Sequence, residues 1–117
     1  MLLKDIREEK AALRSKCKLL RSQFTEEEKK SLDMRIFNRL TNLWRYRDCE
    51  TLLTYVSSGI EVDTRALIED ALKRSKKVAV PRCIPGLHEM EFYYITSFDD
   101  LQQGVYGIPE PDRKSVV

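Results

Sequence analysis

Residues 51–64, TLLTYVSSGIEVDT, constrain the fold more than any other stretch of the chain. Leu52, Leu53, Tyr55 and Val56 make a short, nearly continuous apolar run, which suits a strand buried on both faces. Ser57, Ser58 and Gly59 break the run. Asp63 or Thr64 can then cap a helix whose apolar residues Leu67, Ile68, Ala71 and Leu72 fall at helical spacing. Such a segment places polar groups at the carboxyl end of a strand, where open α/β sheets bind ligands, and next to a helix N-terminus with unpaired N–H groups. Glu61, held in the loop ahead of the cap, is the first candidate site residue.

The flanking sequence extends this unit on both sides. Ahead of it, Ile6, Leu13, Cys17, Leu20 and Phe24 are spaced by three, four or seven, predicting an amphipathic helix over residues 3–24. Thr25 followed by Glu28 is a capping box, and Leu32, Ile36, Leu40 and Leu43 form the stripe of a second helix, expected to end near Trp44 to Arg47. Beyond the third helix, residues 77–80 read as a second buried strand ending at Pro81. Strand, helix and strand together predict a βαβ unit with parallel strands. Pro85-Gly86 signals a turn, Met90 to Ile95 a further strand, and Ser97 with Asp99 and Asp100 a short helical turn. The two prolines and two glycines of residues 104–111 predict irregular chain.

Lys10 lies on the stripe of the first helix and Arg14 stands one turn beyond it, with no acid three or four residues from either. Like charges at that spacing cost an isolated helix about 0.2–0.5 kcal/mol, so the pair calls for a distant acid or an anionic ligand. The alternative is a solvated basic edge whose long stems lie over the core. At 117 residues the chain has room for one domain, residues 1–117. A net charge of +2 is too small to imply a nucleic-acid or membrane partner, and no apolar run reaches transmembrane length. Charges in MLLKDIREEK stand where a signal peptide would be apolar, so a cytoplasmic protein is expected. Cys17, Cys49 and Cys83, widely spaced and odd in number, read as reduced cytosolic thiols and not as a zinc or disulfide framework, and Cys83 with His88 makes only two potential ligands. Neither a Walker A pattern nor a Gly-x-Gly-x-x-Gly fingerprint is present.

Taken in order, Lys10-Ala-Ala-Leu13-Arg14 with Arg21, Glu61-Val-Asp-Thr64, Val78-Ala-Val-Pro81-Arg82, Met90-Glu-Phe92 and Gly107-Ile-Pro-Glu-Pro111 resemble the motif set of the 5-formyltetrahydrofolate cyclo-ligases. The resemblance implies a three-layer α/β/α sandwich on a mostly parallel open sheet. It also implies ATP- and Mg²⁺-dependent closure of 5-formyltetrahydrofolate to 5,10-methenyltetrahydrofolate. By position it assigns Lys10 and Arg14 to the ATP phosphates, and Val56, Glu61 and Tyr106 to the folate. The later part of the family pattern, with its glycine-rich Arg-x-Gly-x-Gly-x-Gly-Tyr-Tyr-Asp segment, has no counterpart in these residues, so a truncated form is expected. Two other classes remain open at this point. One is a folate-binding or interaction fragment without turnover; the other is a basic-helix module that binds nucleic acid.

Overall fold

The computed structural model describes residues 5–84, 86, 87, 89–103 and 109–111. Helix α1, Ile6–Ser22, starts on Asp5, whose carboxylate accepts from the Arg7 N–H at 2.9 Å. Helix α2, Glu26–Thr41, starts on the expected capping box. Thr25 Oγ1 accepts from Glu28 N, and Glu28 Oε1 from Thr25 N, both at 3.1 Å.

The second helix ends earlier than its apolar stripe predicts. Thr41 Oγ1 donates back to Phe37 O at 2.9 Å and Asn42 Nδ2 to Asn38 O at 2.7 Å, so side chains take up carbonyls of the last turn. Residues Trp44–Asp48 then form a separate short helix, α3. Lys76 fixes the exit from α3. Its ammonium is buried, donates to Arg47 O at 3.0 Å and Cys49 O at 2.6 Å, and lies 5.2 Å from the centre of the Tyr46 ring.

Strand β1, Thr51–Leu53, helix α4, Arg65–Lys73, and strand β2, Lys77–Cys83, form the expected βαβ unit, with β1 and β2 parallel. Strand β3, Met90–Ile95, returns antiparallel to β2, so the open sheet has the order β1-β2-β3 and is mixed. The turn between them closes through Leu87 N and Ile84 O at 3.1 Å. Gly86 takes the positive φ of 79° there, while Pro85 lies outside the described residues. After a 3₁₀ turn, Phe98–Asp100, strands β4, Leu101–Gln103, and β5, Pro109–Pro111, pair antiparallel as a separate ribbon.

Two strand expectations change. Residue 81 does not end β2, which runs on through Pro81, paired with Phe92, to Cys83. Thr54 N donates to Ala79 O at 3.1 Å, so Ala79, and by alternation Pro81, turn their backbone polar groups toward β1. Pro81 lies past the end of the β1 ladder, and its missing N–H breaks no bond there. Residues 109–111, expected to be irregular, form β5 because a two-stranded ribbon has edges where proline is tolerated.

The main core cluster lies on one face of the sheet, while Ala79, also fully buried, is on the other. Tyr46, Val56, Leu67, Ile68, Ala71, Val78, Val80 and Ile95 pack together, with Phe37, Leu40, Leu52 and Leu72 against them. Strand β1 is therefore not buried on both faces as its composition predicts. Leu52 joins the core, whereas Leu53, on the opposite face, is 52% exposed. The stripe of α1 is also open, with Ile6, Leu13, Leu20 and Phe24 all exposed. Among the described residues the cysteines form no disulfide, and no helix is long and apolar enough to cross a membrane.

Candidate functional site

The segment between β1 and α4 is held by its own side chains. Ser57 and Thr64, both buried, form a reciprocal clasp. Thr64 Oγ1 accepts from Ser57 N at 2.9 Å and donates to Tyr55 O at 2.7 Å, and Ser57 Oγ accepts from Thr64 N at 3.0 Å. Thr64 thus occupies the N-cap position of α4 without capping it through its side chain. Asp63 does that work, its Oδ1 accepting from Arg65 N at 2.9 Å. Within the clasp, Gly59 adopts a φ of 57°, and Glu61 N closes a turn onto Ser58 O at 3.2 Å.

Glu61 folds back over this turn. Its Oε1 accepts from Ser58 N at 3.0 Å and from Ser58 Oγ at 3.4 Å. Oε2 has no protein partner among the described residues, so one oxygen of a fixed carboxylate stays available to a donor.

A cleft of about 720 Å³ opens between this loop and α2, within the size range of sites that take a drug-sized molecule. The loop and the start of α4 supply Ser57, Glu61, Asp63 and Arg65. From α2 come Glu26, Lys29, Lys30, Asp33, Met34 and Phe37, which recur at helical spacing and so share one face. Lys29 and Asp33 are ion-paired across one turn at 2.5 Å. Phe37 at the inner end also packs on the core. Beside the cleft, the Tyr55 hydroxyl donates to Val62 O at 3.0 Å. Burial and then the negative charge of Glu61 raise the Tyr55 phenol above its ordinary value, with Arg21 opposing and Asp33 and Asp63 adding. The last turn of α1 therefore lies in the same electrostatic neighbourhood as the loop.

The site residues expected from sequence fall in three places. Glu61 lines the cleft. Val56 sits in the hydrophobic core cluster, only 3% exposed, and does not line the cleft. Lys10 and Arg14 are exposed on α1 and do not line the cleft; helix rise puts them about 16 and 10 Å along α1 from Arg21. Neither has an ion-pair partner among the described residues. Tyr106 lies outside the described residues. The sequence does not announce the α2 wall, because the leucine and isoleucine stripe reads as the inward face of that helix. The Met34 and Phe37 pair, three apart and in phase with Lys30 and Asp33, was the signal for it.

Three comparisons bear on this arrangement. A model of the 5-formyltetrahydrofolate cyclo-ligase family matches residues 6–117. The chain is 29% identical over 112 residues to a probable 5-formyltetrahydrofolate cyclo-ligase of Caenorhabditis elegans, covering 93% of this chain and 54% of the relative. A protein of the same name from Schizosaccharomyces pombe is 33% identical over 87 residues, covering 73% and 42%. The NMR structure of Aquifex aeolicus 5,10-methenyltetrahydrofolate synthetase superposes with a TM-score of 0.75 at 28% identity, over 92% of this chain and 54% of that one. The chain thus spans about half the length of the relatives it matches.

Proposed function

The chain belongs to the 5-formyltetrahydrofolate cyclo-ligase family, and from that premise we propose that it supplies the folate-binding cleft of an ATP-dependent cyclo-ligase acting in the cytoplasm. The observation that carries this reading is Glu61: a carboxylate anchored through one oxygen to Ser58, with the other oxygen free among the described residues, on the wall of a cleft of suitable size. A reduced pterin presents ring N–H donors that such an acceptor can hold, and the apolar Met34 and Phe37 offer surface to a flat ring. Val56 contributes through the core that fixes the loop, and Tyr106 is retained as a folate contact by position in the family pattern alone.

The reaction this implies is transfer of the ATP γ-phosphoryl group to the formyl oxygen, with ADP leaving. The neighbouring folate nitrogen then attacks the formyl carbon and phosphate departs, closing the methenyl ring. Catalysis of such a step rests on positioning and on cations near the phosphates. Lys10 and Arg14, on one face of α1 and without carboxylate partners among the described residues, suit that task. Among the described residues no group of three or more His, Cys, Asp or Glu side chains could hold a metal ion, so no ligand for Mg²⁺ is assigned.

Calorimetric titration of 5-formyltetrahydrofolate into the wild type and Glu61→Gln, with thermal melts to confirm folding, tests the cleft. The variant is expected to bind more weakly by about 1–3 kcal/mol, with ATP binding little changed; equal affinities would remove Glu61 from the site. Lys10→Ala should weaken ATP binding about tenfold or more and leave folate binding unchanged. An unchanged ATP affinity would return Lys10 to a solvated helix edge. Saturable folate binding with no methenyl product in the presence of ATP and Mg²⁺ would favour the non-catalytic folate-binding reading for these residues.

A further inference from the structure

The charged groups that line the cleft differ in how far they are already committed. Asp33 takes the Lys29 ammonium, Asp63 accepts from Arg65 N, and Glu61 accepts from Ser58. Lys30 and Arg65, by contrast, have no carboxylate partner among the described residues. Arg65 lies with its guanidinium carbon 5.8 Å from the centre of the Phe98 ring, a contact that fixes the side chain without neutralising it. The two cations come from opposite walls, Lys30 from α2 and Arg65 from the first position of α4. Glu26, one turn before Lys30 on the same wall, sits in that helix's first turn, where the dipole favours it.

The α2 wall is also graded. Phe37 packs on the core, Met34 follows, and Lys30, Lys29 and Glu26 lie toward the helix start; the helix rise makes this run about 16 Å long. It fits an elongated ligand with a ring system at its inner end and an anionic group at the mouth. A folate has that layout, from pterin through an aminobenzoyl ring to a glutamate with two carboxylates. Resting on the folate reading above, we propose that Lys30 and Arg65 hold the glutamate carboxylates of the substrate, while Phe37 backs its pterin at the inner end and Met34 packs along its aminobenzoyl ring.

The test pairs a change in the protein with a change in the ligand. Calorimetry would compare 5-formyltetrahydrofolate with 5-formyltetrahydropteroate, which lacks the glutamate, on the wild type and on the Lys30→Gln/Arg65→Gln double variant. The glutamate should improve wild-type affinity by about three- to tenfold, as two partly exposed ion pairs can, and by less than about twofold in the double variant. If the glutamate gives no advantage in the wild type, or the same advantage in the variant, the assignment is overturned while the folate cleft stands. If the wild type binds neither ligand, the folate reading fails and this inference fails with it. Should the double variant melt well below the wild type, Lys30→Gln alone, at an exposed position, carries the same comparison with a proportionately smaller change.

Discussion

Replacing Thr64 by valine keeps the shape of the side chain and removes only its hydroxyl, so it isolates the clasp that holds the candidate loop. The hydroxyl accepts from the buried Ser57 N–H at 2.9 Å and donates to Tyr55 O at 2.7 Å. Leaving the Ser57 N–H without a partner in a buried position costs about 1–3 kcal/mol, and the lost bond to Tyr55 O adds about 1 kcal/mol. A total of about 2–4 kcal/mol is expected. For a domain of this length that is a fall in Tm of about 8–16 °C. Thr64→Ser, which keeps the hydroxyl and loses a methyl group, should cost only about 1 kcal/mol. Urea denaturation of the three proteins with a common m-value measures both differences. Thr64→Val indistinguishable from Thr64→Ser, within about 0.5 kcal/mol, would refute the claim that the hydroxyl pair holds the loop. If the clasp also sets the position of Glu61, Thr64→Val should weaken folate binding at temperatures where the protein remains folded.

Two further predictions concern α4. Ser75 follows the helix at a φ of 62° and closes a Schellman motif, with Ser75 N on Leu72 O and Lys76 N on Ala71 O; Ser75→Gly should therefore stabilise the protein by about 0.5–1 kcal/mol, and a destabilising result in urea melts would contradict the strain assigned there. Burial acts to raise the Asp70 carboxyl, but hydrogen bonds from Tyr46 and Arg74 outweigh it and hold the group below the usual aspartate range. With the folded value depressed, its contribution is present above the ordinary value of about 3.9 and lost as pH falls through the lowered one, so Asp70→Asn should lose less stability on acidification than the wild type; parallel acid titrations of the two proteins would disprove it.

The parts of this fold legible in the sequence are those whose signals are local. The Thr25 and Glu28 box, the helical spacing of Leu67, Ile68, Ala71 and Leu72, and the glycine at the turn after β2 each act through neighbours a few residues away. What escaped depends on distant surroundings. Whether Leu53 is buried is decided by what covers the far face of β1, and composition cannot report that. Pro81 is tolerated because β1 stops short of it, a matter of relative strand length and not of the proline itself. The loop between β1 and α4 was legible, and the place of Glu61 in it, since a strand end, small residues and a helix start carry that information in order. The opposite wall was not, because α2 has apolar residues on more than one face and only packing decides that Phe37 turns inward while Ile36 stays exposed.

The mixed sheet has a kinetic corollary. Strands β2 and β3 are joined by a tight turn, and such hairpins form in about 1–10 μs, whereas the parallel pairing of β1 with β2 must wait for the whole α4 crossover to close. Ser57, Glu61 and Thr64 all belong to that crossover. Ligand competence should therefore be the last property gained on refolding, trailing the hairpin signal, and a ligand bound in the cleft would slow unfolding by holding that segment shut.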